Sequence, residues 1–337
     1  MEQEPKIVAN KQRRCVIIAS AIIILMITGV AYWAFLMAMR AETNVRSAGL
    51  QSVVAAQLAK TIDAMEMSAT NVFNEVEKHM DTPEAVIEAL ESEASLNPEV
   101  RGYFAAFEPY FFPQRGKWFE PYVHHTDSTK FEMTQVGSAR HDYTQSEWYK
   151  HAKDIKMSFW SEPYYYYDGT SISGHYCTFV KPVFSEDGQL LCVCGADLTF
   201  EWLTKALHRI DEWCRQDQQV NKYRLMRDFE FFSIVVDRDG TCIVHPEGKN
   251  VSLSAPDVLE DIQMQKHGVR EMEVAGVPSY VFYGPIDGID WMAAIVVPKS
   301  DMMKPFIYVG LLLLVLALLG IVAICVISKR FVYAAQV

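Results

Sequence analysis

A chain of 337 residues with 31 Lys and Arg against 42 Asp and Glu carries a formal net charge of -11. That balance argues against nucleic acid as a partner and leaves no sign of a polybasic face for lipid headgroups. Half of the residues are hydrophobic, yet the long apolar runs lie only at the two ends, and the sequence between them is water-soluble in composition.

The first run, Cys15 to Met39, and the second, Phe306 to Ser328, contain no charged residue. Each exceeds the roughly 20 residues that a helix needs to span a bilayer. Lys11, Arg13 and Arg14 precede the first run, and Lys329 and Arg330 follow the second. Because cytoplasmic flanks are enriched in Lys and Arg, this pattern predicts a two-pass protein of the inner (cell) membrane. Both termini are then cytoplasmic, 15–39 and 305–328 are the membrane helices, and 40–304 is extracytoplasmic. Arg40, Lys299 and Lys304 weaken the charge bias without reversing it. The competing reading of the first run is a cleaved signal peptide, whose apolar core is usually about 7 to 15 residues long.

From Ala41 to Met80 there is no Pro and a single glycine, Gly49. Val54, Leu58, Ile62, Met65, Phe73, Val76 and Met80 recur at helical spacing, predicting one long amphipathic helix over 40–80 that continues from the first membrane helix. Asp81-Thr82-Pro83-Glu84 opens a second helix as a cap followed by Pro. After Asn97-Pro98 the period shifts toward alternation, predicting strands at Val100 to Phe107, around Tyr122 to His125, at His175 to Val183 and at Leu190 to Asp197, with a short helix over Gln145 to Lys156. Asp168-Gly169 and Asp187-Gly188 supply hairpin turns. Leu198 to Asp228 reads as a charged helical connector.

A second strand set follows at Phe231 to Asp237, Thr241 to His245, Val269 to Val274, Ser279 to Tyr283 and Trp291 to Val297, with turns at Asp239-Gly240 and Asp287-Gly288 and a helix over Pro256 to Lys266. The predicted class is α+β: a long N-terminal helix and two antiparallel sheet modules, 81–200 and 229–304, joined by a connector over 201–228.

No nucleophile elbow, phosphate loop, zinc-protease motif or dinucleotide fingerprint is present. The sequence therefore points away from an enzyme and calls for no cofactor. Five cysteines lie between the apolar runs (Cys177, Cys192, Cys194, Cys214 and Cys242), an odd number at irregular spacings that specifies no disulfide framework. Cys192 and Cys194 share one face of a strand and read as small buried residues; a metal site lacks a second Cys pair or a spaced His pair.

Aromatic residues instead crowd 118–176: Trp118, Tyr122, Trp148, Tyr149, Trp160, Tyr164 to Tyr167 and Tyr176. Such rings can be core, and the stripe alone favours packing. Asp197 ends a strand on the same face as Gly195, and a carboxylate at the rim of an aromatic pocket suits a ligand ammonium through charge-assisted hydrogen bonding and cation–π attraction. The competing role for Asp197 is to cap the helix beginning near Phe200. The candidate ligand-binding set is Trp148, Tyr149, Trp160, Tyr164, Tyr176 and Asp197.

The segments Ser-Glu-Trp-Tyr (146–149), Trp-Ser-Glu-Pro-Tyr (160–164), Lys-Pro-Val-Phe-Ser-Glu-Asp-Gly with Gly-Ala-Asp-Leu (181–198), and Gly-Ile-Asp-Trp-Met-Ala-Ala-Ile-Val-Val-Pro (288–298), in this order between two membrane helices, resemble the double Cache sensor domains of bacterial transmembrane receptors. The resemblance covers about residues 15 to 330. It implies that the membrane-distal module binds a small molecule and that the protein is a homodimer packed along the long helix.

For the amino-acid-binding subset, the resemblance matches Trp148 and Tyr149 to an aromatic pair, Tyr164 to a later aromatic, and Asp197 to the carboxylate that receives the ligand's amino group. Ser146 stands where that subset has Arg, and Arg140 is six residues too early. An ordinary α-amino acid thus lacks an evident partner for its carboxylate, which leaves an amine without that carboxylate, or an unrelated small metabolite, open. Receptors of this kind continue into a cytoplasmic signalling module. Residues 329–337 read as a helix interrupted partway, which predicts a chain cut short, with signalling through a separate protein as the alternative. Two readings from other classes are a structural or adhesion ectodomain without a ligand and a membrane-anchored hydrolase, for which no local signature pairs a nucleophile with a base.

Overall fold

The computed structural model describes residues 3–94, 100–126, 130–167, 172–216, 230–246 and 251–334. Helix α1, Gln3–Lys78, runs unbroken through the first apolar stretch and the amphipathic stretch after it, so the two predicted helices are one element of 76 residues. At about 1.5 Å per residue it is about 114 Å long. Its buried positions change partner along its length. Leu50, Val54, Leu58 and Ile62 pack on the second sheet, whereas Met65, Ala69, Val72, Phe73 and Val76 pack on the first. The first sheet therefore stands farther from the apolar end of α1 than the second.

After α2, Pro83–Ala94, whose first turn is capped where Thr82 Oγ1 accepts from Ala85 N at 3.1 Å, the chain enters the first sheet. Its strands are β1 (Gly102–Phe107), β2 (Pro121–His125), β3 (Phe131–Gln135), β4 (Phe159–Trp160), β5 (Tyr164–Tyr166), β6 (Gly174–Phe184) and β7 (Leu190–Thr199). They lie in the order β3-β2-β1-β7-β6-β4 with β5 also on β6, and every pairing is antiparallel. The sequence reading anticipates β1, β2, β6 and β7 to within a few residues. It does not anticipate β3, β4 or β5.

Period-2 alternation sorts this sheet into two faces. Tyr103, Ala105, Phe107, Val123, Cys192, Cys194 and Ala196 form the face against α1 and α2. The Sγ atoms of Cys192 and Cys194 lie there 3.9 Å apart. The opposite face carries Phe104, Ala106, Tyr122, Val180 and Val193 beneath helix α3, Glu147–Ile155. Gly188 closes the β6–β7 turn with φ 76, a left-handed conformation that glycine adopts without a Cβ clash. The expected turn at Asp168-Gly169 lies outside the described residues.

Strand β7 passes without a loop into α4, Phe200–Gln216. Thr199 Oγ1 caps this helix by accepting from Trp202 N at 3.2 Å. Asp211 of α4 is buried and accepts from both the N–H and the hydroxyl of Ser233, at 2.9 and 2.5 Å, fastening the helix to the second sheet. The part of the expected connector beyond Gln216 lies outside the described residues.

The second sheet comprises β8 (Phe232–Val236), β9 (Cys242–Val244), β10 (Gly268–Val274), β11 (Val277–Ile286) and β12 (Ile289–Pro298), in the order β10-β11-β12-β8-β9. One face packs on α1 and α4. The other packs on Val258 and Ile262 of helix α5, Pro256–Gln263. Gln51 of α1 donates to the Ala293 carbonyl at 3.1 Å, adding a polar tie to this packing. Strand β12 continues into α6, Lys299–Ala334. Helices α1 and α6 are each long and apolar enough to cross a membrane. They meet at Phe35 and Phe306, whose ring centroids are 6.0 Å apart, and where the Tyr32 hydroxyl donates to the Phe306 carbonyl.

Candidate ligand-binding site

On the α3-facing side of the first sheet lies a cavity that continues into the cleft toward the second sheet, together about 1500 Å³. Strand register builds its floor. Phe104 of β1 stands opposite Tyr122 of β2 and Gly195 of β7, while Gly102 stands opposite Asp197. The two glycines leave the room that the rings use. A Cβ at Gly195 would meet Phe104 Cζ at 2.1 Å, and one at Gly102 would meet the Tyr122 ring at 2.6 Å. The Tyr122 ring thus lies over Gly102, next to Asp197.

Asp197 is 7% exposed. A relay of hydroxyls converges on it: Tyr164 bonds to Thr178 Oγ1 at 2.8 Å, Thr178 donates to Asp197 Oδ1 at 2.6 Å, and Tyr164 itself reaches the same oxygen at 3.4 Å. Burial raises the Asp197 carboxyl to about 6, and the hydroxyls and the charge of Arg101 act in the opposite sense. Burial, with the Asp197 charge as the next cause, likewise pushes the phenols of Tyr122 and Tyr164 well above their ordinary range, so both stay neutral. A second carboxyl, Glu120, lines the same cavity at 3% exposure. Burial, and then the charge of Asp197, hold it well above the usual carboxylate range.

Trp148 closes the cavity from α3, packed on Phe104 at 5.0 Å. Tyr176 stands beside Tyr164 at 6.2 Å and donates to the Ile172 carbonyl at 2.6 Å. Trp160 lies where the cavity opens toward the cleft. Its Nε1 donates to Glu66 of α1 at 2.6 Å, and its ring packs on Phe179 and on Trp291 of β12.

The sequence of residues 86–205 matches the family model described as the first PDC sensor domain of methyl-accepting chemotaxis protein-like proteins. No curated protein matches the chain at a significant level. Among solved structures, the chain resembles the extracellular domain of mmHK1S-Z3, assigned as a histidine kinase, with a TM-score of 0.60 at 21% identity over 77% of this chain and 97% of that one. It also resembles the periplasmic sensory domain of the Campylobacter jejuni chemoreceptor Tlp1, with a TM-score of 0.59 at 14% identity over 79% and 99%. A third match is the ligand-binding domain of the Pseudomonas fluorescens chemoreceptor CtaA in complex with L-isoleucine, with a TM-score of 0.54 at 18% identity over 79% and 97%.

The segment between the apolar helices has the double Cache sensor fold.

Within this double Cache domain the part of the cavity around Asp197 is walled by the first module. Of the six residues singled out in the sequence, Trp148, Trp160, Tyr164, Tyr176 and Asp197 line it. Tyr149 does not. Its ring is buried against Tyr143 and its hydroxyl donates to Glu108 at 3.1 Å. Successive helical residues point about 100° apart, so Trp148 and Tyr149 of α3 serve different surfaces. Ser146 lines the cavity, while Arg140 is exposed and outside it. Thr199, not Asp197, caps the helix that follows β7.

Sequence reading did not single out Glu120, Thr178 or Phe104 for this Cache site. The one available signal for Glu120 is its spacing two residues before Tyr122, which would put both on one side of an extended segment entering β2.

Proposed function

We propose that this chain is the sensory part of a transmembrane receptor and that the cavity of its first Cache module binds a small ligand through an ammonium group placed at Asp197. The observation that supports this reading is a carboxylate 7% exposed within walls of Tyr122, Tyr164, Tyr176 and Trp148. A cation there gains a charged partner and aromatic faces in a dry environment, where both attractions exceed their values in water. CtaA was solved with L-isoleucine, and a PctB ligand-binding domain with L-Arg. With Ser146 rather than Arg facing the cavity, this chain offers an α-carboxylate no guanidinium fork at that position. That favours an amine without an adjacent carboxylate.

In this reading α1 and α6 span the inner membrane with both ends cytoplasmic, and the chain forms a homodimer along α1. Ligand closure shifts α1 against the first sheet and displaces α6 relative to it, for signalling to a cytoplasmic domain or partner. The ligand biases these states only through its difference in affinity for them.

The test is a thermal-shift screen of the detergent-solubilised chain against amines, amino acids and organic acids, with Asp197→Asn beside the wild type. Saturable stabilisation by an amine that Asp197→Asn abolishes is the expected result. Stabilisation by acids alone, unchanged in Asp197→Asn, overturns the ammonium site. Cysteine pairs between α1 and α6 near Phe35 and Phe306 test transmission, because crosslinking yields unchanged by a bound ligand would exclude a relative helix displacement.

A further inference from the structure

The second carboxyl of the cavity has no work in the reading above. Glu120 is 3% exposed, and its Oε2 has no hydrogen-bond partner among the described residues. The His141 ring approaches that oxygen with Nε2 at 3.7 Å, beyond hydrogen-bond distance, and packs edge-on to Tyr166. A buried carboxyl oxygen is ordinarily satisfied by the protein itself. This one is unsatisfied, in a residue that lines the cavity.

Register fixes where the two carboxyls stand. Phe104 pairs with Tyr122, and the bond from Phe107 N to the Phe119 carbonyl at 3.0 Å carries the same register on, placing Glu120 opposite Ala106. Asp197 stands opposite Gly102. The two residues are thus four positions apart along the strands and two strands apart across them. At about 3.4 Å per residue and about 4.8 Å per strand, their Cα atoms are about 17 Å apart. Both side chains lie on the cavity face, with Tyr122 and Phe104 between them.

We propose that the cavity takes a linear diamine, one ammonium at Asp197 and the other at Glu120, with its methylene chain over the Phe104 and Tyr122 rings. This deepens the amine reading of Asp197 and rests on it. The chemistry discriminates at the far end of the ligand. A monoamine leaves Glu120 unsatisfied, and an ω-amino acid sets its carboxylate against a carboxyl. A second ammonium supplies the missing donor and cancels the repulsion that keeps two nearby carboxylates from ionising together. Because Glu120 is held well above its ordinary range in the empty cavity, it enters the complex by giving its proton to solvent as the ammonium arrives.

Isothermal titration of the full chain in detergent at neutral pH tests this, using linear diamines from 1,3-diaminopropane to 1,8-diaminooctane, the matched 1-aminoalkanes and 4-aminobutanoate. The best diamine is expected to bind at least about tenfold tighter than its monoamine, with 4-aminobutanoate weakest, and Glu120→Gln is expected to bring the diamine preference within about threefold. Titrations in buffers of different ionisation enthalpy are expected to show proton release with the diamine and none with the monoamine, a readout that needs no variant. Diamines and monoamines of equal affinity in the wild type, or a preference that survives Glu120→Gln, overturn the second ammonium site and leave the first. Failure of every amine to bind overturns both.

Discussion

Trp160 and Glu66 join the cavity to the long helix: the indole Nε1 donates to the Glu66 carboxylate at 2.6 Å while the same ring packs against Trp291 of the second sheet. One side chain therefore touches the first sheet, α1 and the second sheet. Burial raises the Glu66 carboxyl from its usual range, and the indole N–H counteracts part of that rise.

Trp160→Phe keeps most of the ring and removes the donor. It is expected to cost about 1 kcal/mol, the order of one half-buried hydrogen bond, read as a lower thermal midpoint. If Trp160 also conveys occupancy to α1, a ligand that still binds the variant will change α1–α6 crosslinking less than it does in the wild type.

Stability of the ligand-free chain is expected to depend on Asp197 with a definite sign. The carboxyl titrates at about 6 in the folded chain and at about 3.9 when unfolded. Between these values the folded chain binds more protons, so this residue's contribution to stability falls as pH rises through the window and is fully lost above it. The total is about 3 kcal/mol. Thermal melts from pH 4 to 7 should show a downward difference slope for the wild type relative to Asp197→Asn. Amine affinity should move the other way, rising as Asp197 ionises and levelling off above neutrality.

Gly195→Ala places a methyl group where Phe104 Cζ lies 2.1 Å away. The ring has to swing toward the cavity, so the variant is expected to lose about 1–3 kcal/mol from overpacking and to bind amines more weakly. Paired melting and titration of the variant check both effects, and intact binding would show that Phe104 is no part of the wall.

Thr178→Val removes the 2.6 Å hydrogen bond to Asp197 and breaks the relay from Tyr164. With less support for its charge, Asp197 should titrate higher, and amine affinity at neutral pH should fall about three- to tenfold. The pH at which affinity levels off should rise with it, separating this effect from a loss of packing.

Most of the architecture is written in periodicity. The 3.6-residue spacing from Val54 to Met80 marks α1, and alternation with Asp-Gly turns marks β6 and β7 and the second sheet. Strands β4 and β5 escape notice because two and three residues, in an aromatic run from Phe159 to Tyr167, offer no polarity contrast. In β3 the charged and apolar residues do alternate, but the strand is largely exposed, so no buried face marks it.

The site divides the same way. Asp197 could be singled out because Gly195 shares its face. Glu120 could not, because a Glu before Pro121 reads as a loop residue, and only the register with β1 shows it to be buried. Tyr149 was attractive as half of an aromatic pair, and helical geometry turns it into the core.

The junction at Thr199 and Phe200 contains no compliant residue, since the strand ends and the helix begins at adjacent positions. Asp197 lies two residues upstream, and the far end of that helix is fastened to Ser233 through Asp211. A flexible loop would let one sheet settle around a guest while the other stayed still. Here strand and helix are joined directly, so an adjustment of β7 around a guest is expected to be carried through α4 to the second sheet.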